Sequence, residues 1–293
     1  MLLPKFDFHE PTTVEEACRL MSRFGLKARP LAGGTDLMVN MKRKIVSPAH
    51  LVSLSRIDTL KQTRRADNGY NIGAGMTVAE LIESEPIRKD LPALVGGAKN
   101  LGTPLIRNLA TIGGNLGSAR PAADLPPPLM AYDARVILKS AKERRTVPLS
   151  RFFLGPGLTE IRPDEILCSI EVDIPSAGSG AGYLGVGVRK AQDCNLVNVA
   201  AFLGLQDDRK TIRSARIVMS GVGPTPLRAP SAEGLLIGKK ADSALFDDAG
   251  QAACGDSRPI DDFRGAAAYK RAMVGVLTRR TLSMALHEAA ACR

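Results

Sequence analysis

Two glycine pairs carry the residues best placed for binding chemistry: Gly33-Gly34-Thr35-Asp36, which follows the apolar stretch Arg29-Pro30-Leu31-Ala32, and Thr111-Ile112-Gly113-Gly114-Asn115, which follows Leu109-Ala110. Paired glycines let successive backbone N–H groups point into one concavity, where they hold a diphosphate without any cationic side chain. Two such loops, some eighty residues apart, would grip one pyrophosphate from both sides; the competing reading of each pair is an ordinary tight turn. Other nucleotide motifs fail on spacing. Gly73-Ala74-Gly75 sits between a strand and a helix, but Val78 stands where a dinucleotide fingerprint needs its third glycine, and Gly238-Lys239 is followed by Lys240 rather than Ser or Thr.

Asp124 lies nine residues beyond Asn115 in the stretch Ser118-Ala119-Arg120-Pro121-Ala122-Ala123-Asp124, followed by Leu125 and three prolines. Proline stiffening would fix its carboxylate near whatever the second loop holds, to accept from a ribose hydroxyl or a ring N–H; the alternative is a cap on the following helix. Catalytic equipment is thin. His9, His50 and His287 are far apart and in unrelated contexts, and Ser53 and Ser55 lack the G-x-S-x-G setting of a nucleophile elbow, so no catalytic residue and no metal ligand is assigned. Cys18, Cys168, Cys194, Cys254 and Cys292 form no C-x-x-C pair, so sequence neighbours cannot assemble an iron–sulfur or zinc site. A dinucleotide binder without acid–base machinery suits electron transfer, in which the cofactor carries the chemistry.

The elements that must position these loops are legible as patterns. A capping box from Thr12 to Glu15 opens a helix with Val14, Ala17, Cys18 and Met21 on one face and Gly25 as its stop. A short helix over 37–43 and a strand at 51–54 follow; a second strand at 70–75 leads to another capping box, Thr77 to Glu80. Ile166, Cys168, Ile170, Val172 and Ile174 alternate as one face of a strand. The small-residue run 175–180 reads as a linker and the best domain boundary, giving 1–175 (subdomains about 1–57 and 58–175) and 181–293. Beyond it, strands at 198–205 and 212–219 and helices at 231–238, 243–253 and 266–290 predict an α+β unit with an antiparallel sheet covered on one side. The formal charge of +10 is scattered, with Lys42-Arg43-Lys44 its densest cluster, and aromatic residues are 4% of the chain, which argues against nucleic acid. The N-terminal segment is broken by Lys5, Asp7, His9 and Glu10, and no apolar run approaches the length of a membrane span, so neither a signal peptide nor a spanning helix is expected and the expected location is cytoplasmic.

With their flanks, Leu31-Ala32-Gly33-Gly34-Thr35-Asp36-Leu37 and Ile106-Arg107-Asn108-Leu109-Ala110-Thr111-Ile112-Gly113-Gly114-Asn115 resemble the paired motifs of the FAD-binding medium subunits of the xanthine dehydrogenase and carbon monoxide dehydrogenase family. The resemblance extends over nearly the whole chain, through 6–11, 72–75, Arg189-Lys190-Ala191-Gln192-Asp193, Phe263-Arg264-Gly265 and 269–274. It implies an FAD-binding domain of two subdomains, similar to the vanillyl-alcohol oxidase type, followed by a smaller α+β domain with an antiparallel sheet. On matching positions, it implies that Ala32 to Asp36 and Thr111 to Asn115 wrap the pyrophosphate, with Leu37 closing the first motif. Ser118 and Asp124 reach the adenosine side, and Leu101, Gly102 and Leu167 line the flavin and adenine. Some members place an aromatic near position 194; Cys194 cannot stack on an isoalloxazine ring, which leaves that side open or differently covered. The branch similar to 4-hydroxybenzoyl-CoA reductase inserts a cysteine-bearing loop for a four-iron cluster, and this chain has no such insertion.

The resemblance implies a heterotrimer. A large molybdopterin subunit oxidises substrate, a small subunit with two two-iron clusters relays single electrons, and this chain takes them up and passes them via FAD to NAD, oxygen or a quinone. The alternatives are a free-standing FAD-dependent oxidoreductase acting on its own substrate and a non-enzymatic interaction module.

Overall fold

The computed structural model describes residues 3–66, 68–189 and 194–291. Its strands are β1 (Asp7–His9), β2 (Ala28–Leu31), β3 (His50–Ser53), β4 (Thr63–Ala66), β5 (Gly69–Gly73), β6 (Arg135–Lys139), β7 (Arg144–Pro148), β8 (Phe153–Gly155), β9 (Leu158–Thr159), β10 (Ile166–Asp173), β11 (Ser179–Val186), β12 (Val197–Leu205), β13 (Ile212–Ser220) and β14 (Leu227–Arg228). Its α-helices are α1 (Val14–Phe24), α2 (Leu37–Lys42), α3 (Val78–Glu83), α4 (Glu85–Asp90), α5 (Pro92–Asn100), α6 (Pro104–Arg107), α7 (Ile112–Gly117), α8 (Pro126–Ala131), α9 (Leu149–Phe152), α10 (Pro230–Leu236), α11 (Ser243–Asp256) and α12 (Ala267–Ala291). The chain folds into two compact units, one of residues 1–80, 104–118 and 134–172, the other of 81–103, 119–133 and 173–293.

In the first unit α1 begins at Thr13, whose hydroxyl accepts from the Glu16 amide at 3.2 Å, while the Glu16 carboxylate accepts from the Thr12 amide at 3.0 Å. The cap thus falls one residue later than the expected Thr12–Glu15 box, because Thr13, extended at φ −130°, is where the chain turns into the helix. Val14, Ala17, Cys18 and Met21 are buried as one stripe, and Gly25 ends the helix at φ 53°. This helix is the crossover between β1 and β2, and β3 inserts between them as a parallel sheet in the order β1-β3-β2. The second sheet runs β4-β5-β10-β6-β7, with antiparallel pairs β4/β5, β10/β6 and β6/β7. In β10 the expected alternation is interrupted by a bulge between Leu167 and Ser169, so Leu167 is buried and Cys168 only half-buried. Burial lifts the Cys168 thiol to about 12.

The second unit is built on an antiparallel sheet in the order β11-β12-β13-β14. All nine residues of β12 are buried, so both of its faces are covered, not one as the strand-then-helix pattern predicts. Val197, Val199, Ala201, Leu203 and Leu205 pack with Phe246, Ala249, Leu277 and Leu282 of α11 and α12. The alternate residues face segments from earlier in the chain: Asn198 Nδ2 donates to the Ala123 carbonyl at 3.2 Å, and the Phe202 ring meets Tyr132, the C-cap residue of α8, edge-on at 6.3 Å. Gly96 in α5 faces Tyr183, and a Cβ there would make ordinary van der Waals contact with it at 3.6 Å.

β11 has no signature in the sequence pattern, since its first two residues belong to the run that reads as a linker. Gly180 and Gly182 are there for packing: a Cβ would stand 2.3 Å from the Ala285 carbonyl oxygen at the first and 2.6 Å from that of Thr281 at the second, both on α12. Gly180→Ala should therefore destabilise the protein by about 2–3 kcal/mol in urea unfolding, as overpacking against backbone cannot relax by rotamer change. Glu288, on the same helix, is pushed up to about 7 by burial, against an opposing hydrogen bond from the Ala181 backbone. A carboxyl whose folded pKa is raised stabilises the fold fully below its unfolded value and loses that contribution as pH rises through the folded value. Stability should then fall from about pH 4.5 to about pH 7 by up to about 2 kcal/mol, the linkage value being discounted for partial exposure. Glu288→Gln should flatten that slope in urea unfolding measured across the range.

Candidate functional site

The first glycine loop joins β2 to α2, beyond the carboxyl end of a parallel strand, where open α/β sheets leave room for ligands. Gly33 lies so close to the turn before the second loop that a Cβ would stand 1.7 Å from the Leu109 carbonyl oxygen. Gly34 takes φ +72°, a left-handed conformation suited to glycine, and its carbonyl receives the Met38 amide at 2.9 Å as α2 begins. Asp36 stands at the N-cap of α2 without capping it. The amides of Gly33, Gly34 and Thr35 donate to nothing among the described residues. Three consecutive unclaimed donors on a half-exposed loop are what an anionic oxygen requires.

The second loop is organised differently. Thr111 caps α7, its hydroxyl accepting from the Gly114 amide at 3.0 Å. The amides of Ile112, Gly113 and Asn115 donate to Met76, Ala74 and Thr111 carbonyls at 3.0, 2.8 and 2.9 Å. Its N–H groups are thus spent inside the protein, contrary to the expectation of a second row of free donors. Gly113 is there for close packing, with a Cβ position 2.6 Å from the Ala74 Cβ. Gly114 is exposed; a Cβ would stand 2.9 Å from Thr111 Oγ1 and 4.0 Å from the Ala32 Cβ, so the two loops are neighbours and the missing side chain keeps the space beside Ala32 open. Asn115 Oδ1 is buried without a hydrogen-bond partner, an end of a side-chain amide that a bound ligand would satisfy. Ser118 Oγ donates to the Asn115 carbonyl at 3.0 Å. The fold therefore brings together Ala32, Gly33, Gly34, Thr35, Asp36 and Leu37 with Thr111, Ile112, Gly113, Gly114, Asn115 and Ser118 in the first unit, which also holds Leu167, 8% exposed in β10. A cradle walled by glycine Cα atoms, with three free backbone amides on one side, fits a diphosphate-bearing cofactor.

Leu101, Gly102 and Asp124 belong to the second unit. Leu101 follows α5 and is 7% exposed, and Gly102 takes φ +51°. Asp124 is equally buried and does not cap α8, whose N-cap residue is Leu125. Its Oδ1 accepts from Asn100 Nδ2 at 2.9 Å, from the Tyr183 hydroxyl at 2.8 Å and from Asn195 Nδ2. Burial pushes its pKa up, and those three donors only partly offset the rise. Asn100, Tyr183 and Asn195 escaped sequence reasoning because they lie 24, 59 and 71 residues from Asp124 with no local pattern linking them.

Two of the histidines are not in unrelated places. Parallel pairing of β1 with β3 sets His9 Nε2 3.3 Å from His50 Nδ1, with Asp7 Oδ2 3.4 Å from the same nitrogen and the Phe24 ring stacked on His50 at 3.7 Å. Sequence separation concealed this pair. Cys194 is exposed, while residues 190–193 of the Arg189–Asp193 motif lie outside the described residues.

Comparisons with known proteins place this geometry. Residues 4–176 match the family of the FAD binding domain in molybdopterin dehydrogenase, and residues 183–285 match the CO dehydrogenase flavoprotein C-terminal domain. The chain is 34% identical over 285 residues to the carbon monoxide dehydrogenase medium chain of Hydrogenophaga pseudoflava, covering 97% of this chain and 98% of that one. It is 31% identical to the glyceraldehyde dehydrogenase medium chain of Sulfolobus acidocaldarius, covering 96% and 98%. A solved structure of the Hydrogenophaga pseudoflava carbon monoxide dehydrogenase, in a form that lacks the Mo-pyranopterin moiety of its cofactor, superimposes with a TM-score of 0.94 at 35% identity over 100% of both chains. Quinoline 2-oxidoreductase from Pseudomonas putida 86 gives a TM-score of 0.91 at 25% identity over 98% and 99%. The chain belongs to the FAD-binding medium subunits of the molybdenum hydroxylase family, oxidoreductase components whose cofactor is FAD.

Proposed function

We propose that this chain is the electron-delivering component of a heterotrimeric, cytoplasmic molybdenum hydroxylase, taking electrons from the two-iron clusters of a small partner subunit and passing them to NAD, oxygen or a quinone. A large molybdopterin subunit would carry out the substrate oxidation. The observation that carries this reading is the joined pair of glycine loops with the free amides of Gly33, Gly34 and Thr35, in a chain whose relatives are medium chains of such enzymes. The division into an FAD-binding part, 1–175, and a C-terminal part, 181–293, is supported by the two family matches, which meet between residues 176 and 183.

Bound FAD supplies a redox centre stable in one- and two-electron states, which suits a link between single-electron clusters and a two-electron acceptor. The protein's part is to hold and orient. The three free amides would donate to diphosphate oxygens, and Ala32 with Gly114 would leave the space those oxygens occupy. Thr111 keeps Gly114 in place by accepting its amide. Within the first unit, Ser118 would lie toward the adenosine side and Leu167 would line a ring.

Purified from its native host, the tagged chain should show flavin absorption and bring down one larger partner with molybdenum and one smaller with iron. Flavin without partners, together with NADPH-driven turnover, would instead support a free-standing flavoenzyme, and colourless protein that cannot be reconstituted with FAD would sink both readings. Gly114→Val should lower FAD affinity at least about tenfold, measured as retained flavin per chain, because the added methyls fill the gap beside Ala32. Unchanged FAD content in that variant would overturn the loop assignment.

A further inference from the structure

We propose that the exposed end of α2, where Lys42, Arg43 and Lys44 run into Ile45 beside Val39, is the docking surface for the protein partner that delivers electrons, and that this partner meets it with an acidic patch around an apolar contact. This rests on the reading of the chain as the flavin-bearing component of a multi-chain enzyme.

The end of α2 carries strain that the helix itself does not require. Arg43 closes the helix with its amide on the Val39 carbonyl at 3.0 Å; the Lys44 amide then reaches the Met41 carbonyl at 3.0 Å and the Ile45 amide the Asn40 carbonyl at 2.9 Å. This paired closure normally carries glycine where Lys44 stands, in the left-handed region at φ 59°. The helix dipole accounts for cations in the last turn, but not for a lysine where glycine would sit unstrained. Nor does it account for Ile45. The residue at that position ordinarily packs back onto the last turn, where its counterpart here is the polar Asn40, and Ile45 is left 64% exposed with Val39 43% exposed.

Lys42, Arg43 and Lys44 are all exposed and, among the described residues, have no ion pair or side-chain hydrogen bond. Three uncompensated positive charges around two bare apolar side chains call for an acidic surface with an apolar contact at its centre. The patch suits a nucleotide acceptor poorly, since it is the exposed end of a six-residue helix and not a cleft. It suits a membrane poorly as well, because polybasic anchors use clusters of about four to eight cations. Its location names the partner. α2 starts at the loop of Gly33, Gly34 and Thr35, and its six residues set the cations roughly 9 Å beyond that loop. A partner seated there lies beside the cofactor loop, as an electron donor must and a chain that only oxidises substrate need not.

The test purifies the tagged chain from its native host as wild type, Lys42→Glu/Lys44→Glu, Lys44→Gly and, as a control for net charge, Lys239→Glu/Lys240→Glu, which reverses two exposed lysines of the second unit. Recovery of the smaller, iron-bearing partner per chain should fall at least about tenfold in the first variant, and with rising salt in wild type, while flavin per chain stays at the wild-type level. Lys44→Gly should melt no lower than wild type and yet retain less of the partner, which a purely structural lysine would not show. Partner recovery unchanged by the charge reversal, an equal loss in the control, or loss of the larger partner alone would overturn the proposal. A matching loss of flavin would overturn it too, by placing the cations in the cofactor site. So would charge reversal that releases the protein from phosphatidylserine vesicles with the iron-bearing partner still bound. Should the charge-reversed variant not fold, Lys42→Gln/Lys44→Gln is read in the same way. Wild-type chain that brings down no iron-bearing partner sinks the functional reading itself, whereas full wild-type recovery with an indifferent charge reversal sinks only this inference.

Discussion

The first unit depends on one backbone-to-backbone approach, Gly33 against the Leu109 carbonyl. At 1.7 Å from a carbonyl oxygen no Cβ can exist, so the chain crossing there must be glycine. That crossing brings the β2–α2 junction onto the turn before α7 and so makes neighbours of the two loops. The other glycines then acquire separate duties. Gly34 bends the chain into α2, Gly113 admits Ala74, and Gly114 keeps a surface open beside Ala32. Similar dipeptides in sequence therefore do unlike work: the first pair frees its amides, the second spends its amides and offers only space.

The second unit uses glycine for a different end. Gly180 and Gly182 let β11 lie against the backbone of α12, while Gly185 accommodates the side-chain amides of Asn100 and Asn195. With β12 buried along its whole length, this sheet is a central layer rather than a half-wet surface. The buried Asp124 carboxylate before α8 is tolerable because three donors are organised around it.

What could be read from the sequence was local. The Thr77–Glu80 box forms as expected, with the Glu80 amide on Thr77 Oγ1 at 3.2 Å and the Thr77 amide on Glu80 Oε2 at 2.8 Å, and Gly25 ends α1. The glycine loops stood out because their residue types are rare in that arrangement. Features created by long-range pairing were illegible: the His9–His50 contact comes from strand register, the bulge at Cys168 from the partner strand, and the Asp124 donor cluster from four separate segments. The small-residue run at 175–180 misled for a physical reason, since glycine and serine serve a flexible link and a tightly covered strand equally well.

That one face of the C-terminal sheet is covered by α5 and α8 has a consequence for biosynthesis. Those helices leave the ribosome long before the strands they cover, and roughly 160 residues separate the end of α8 from the end of α12. At typical elongation rates the wait is on the order of 10–30 s, during which the buried stripe of Ala93, Leu94, Leu129 and Met130 has no sheet to rest on. A gene fragment stopping near residue 176 would make that exposure permanent.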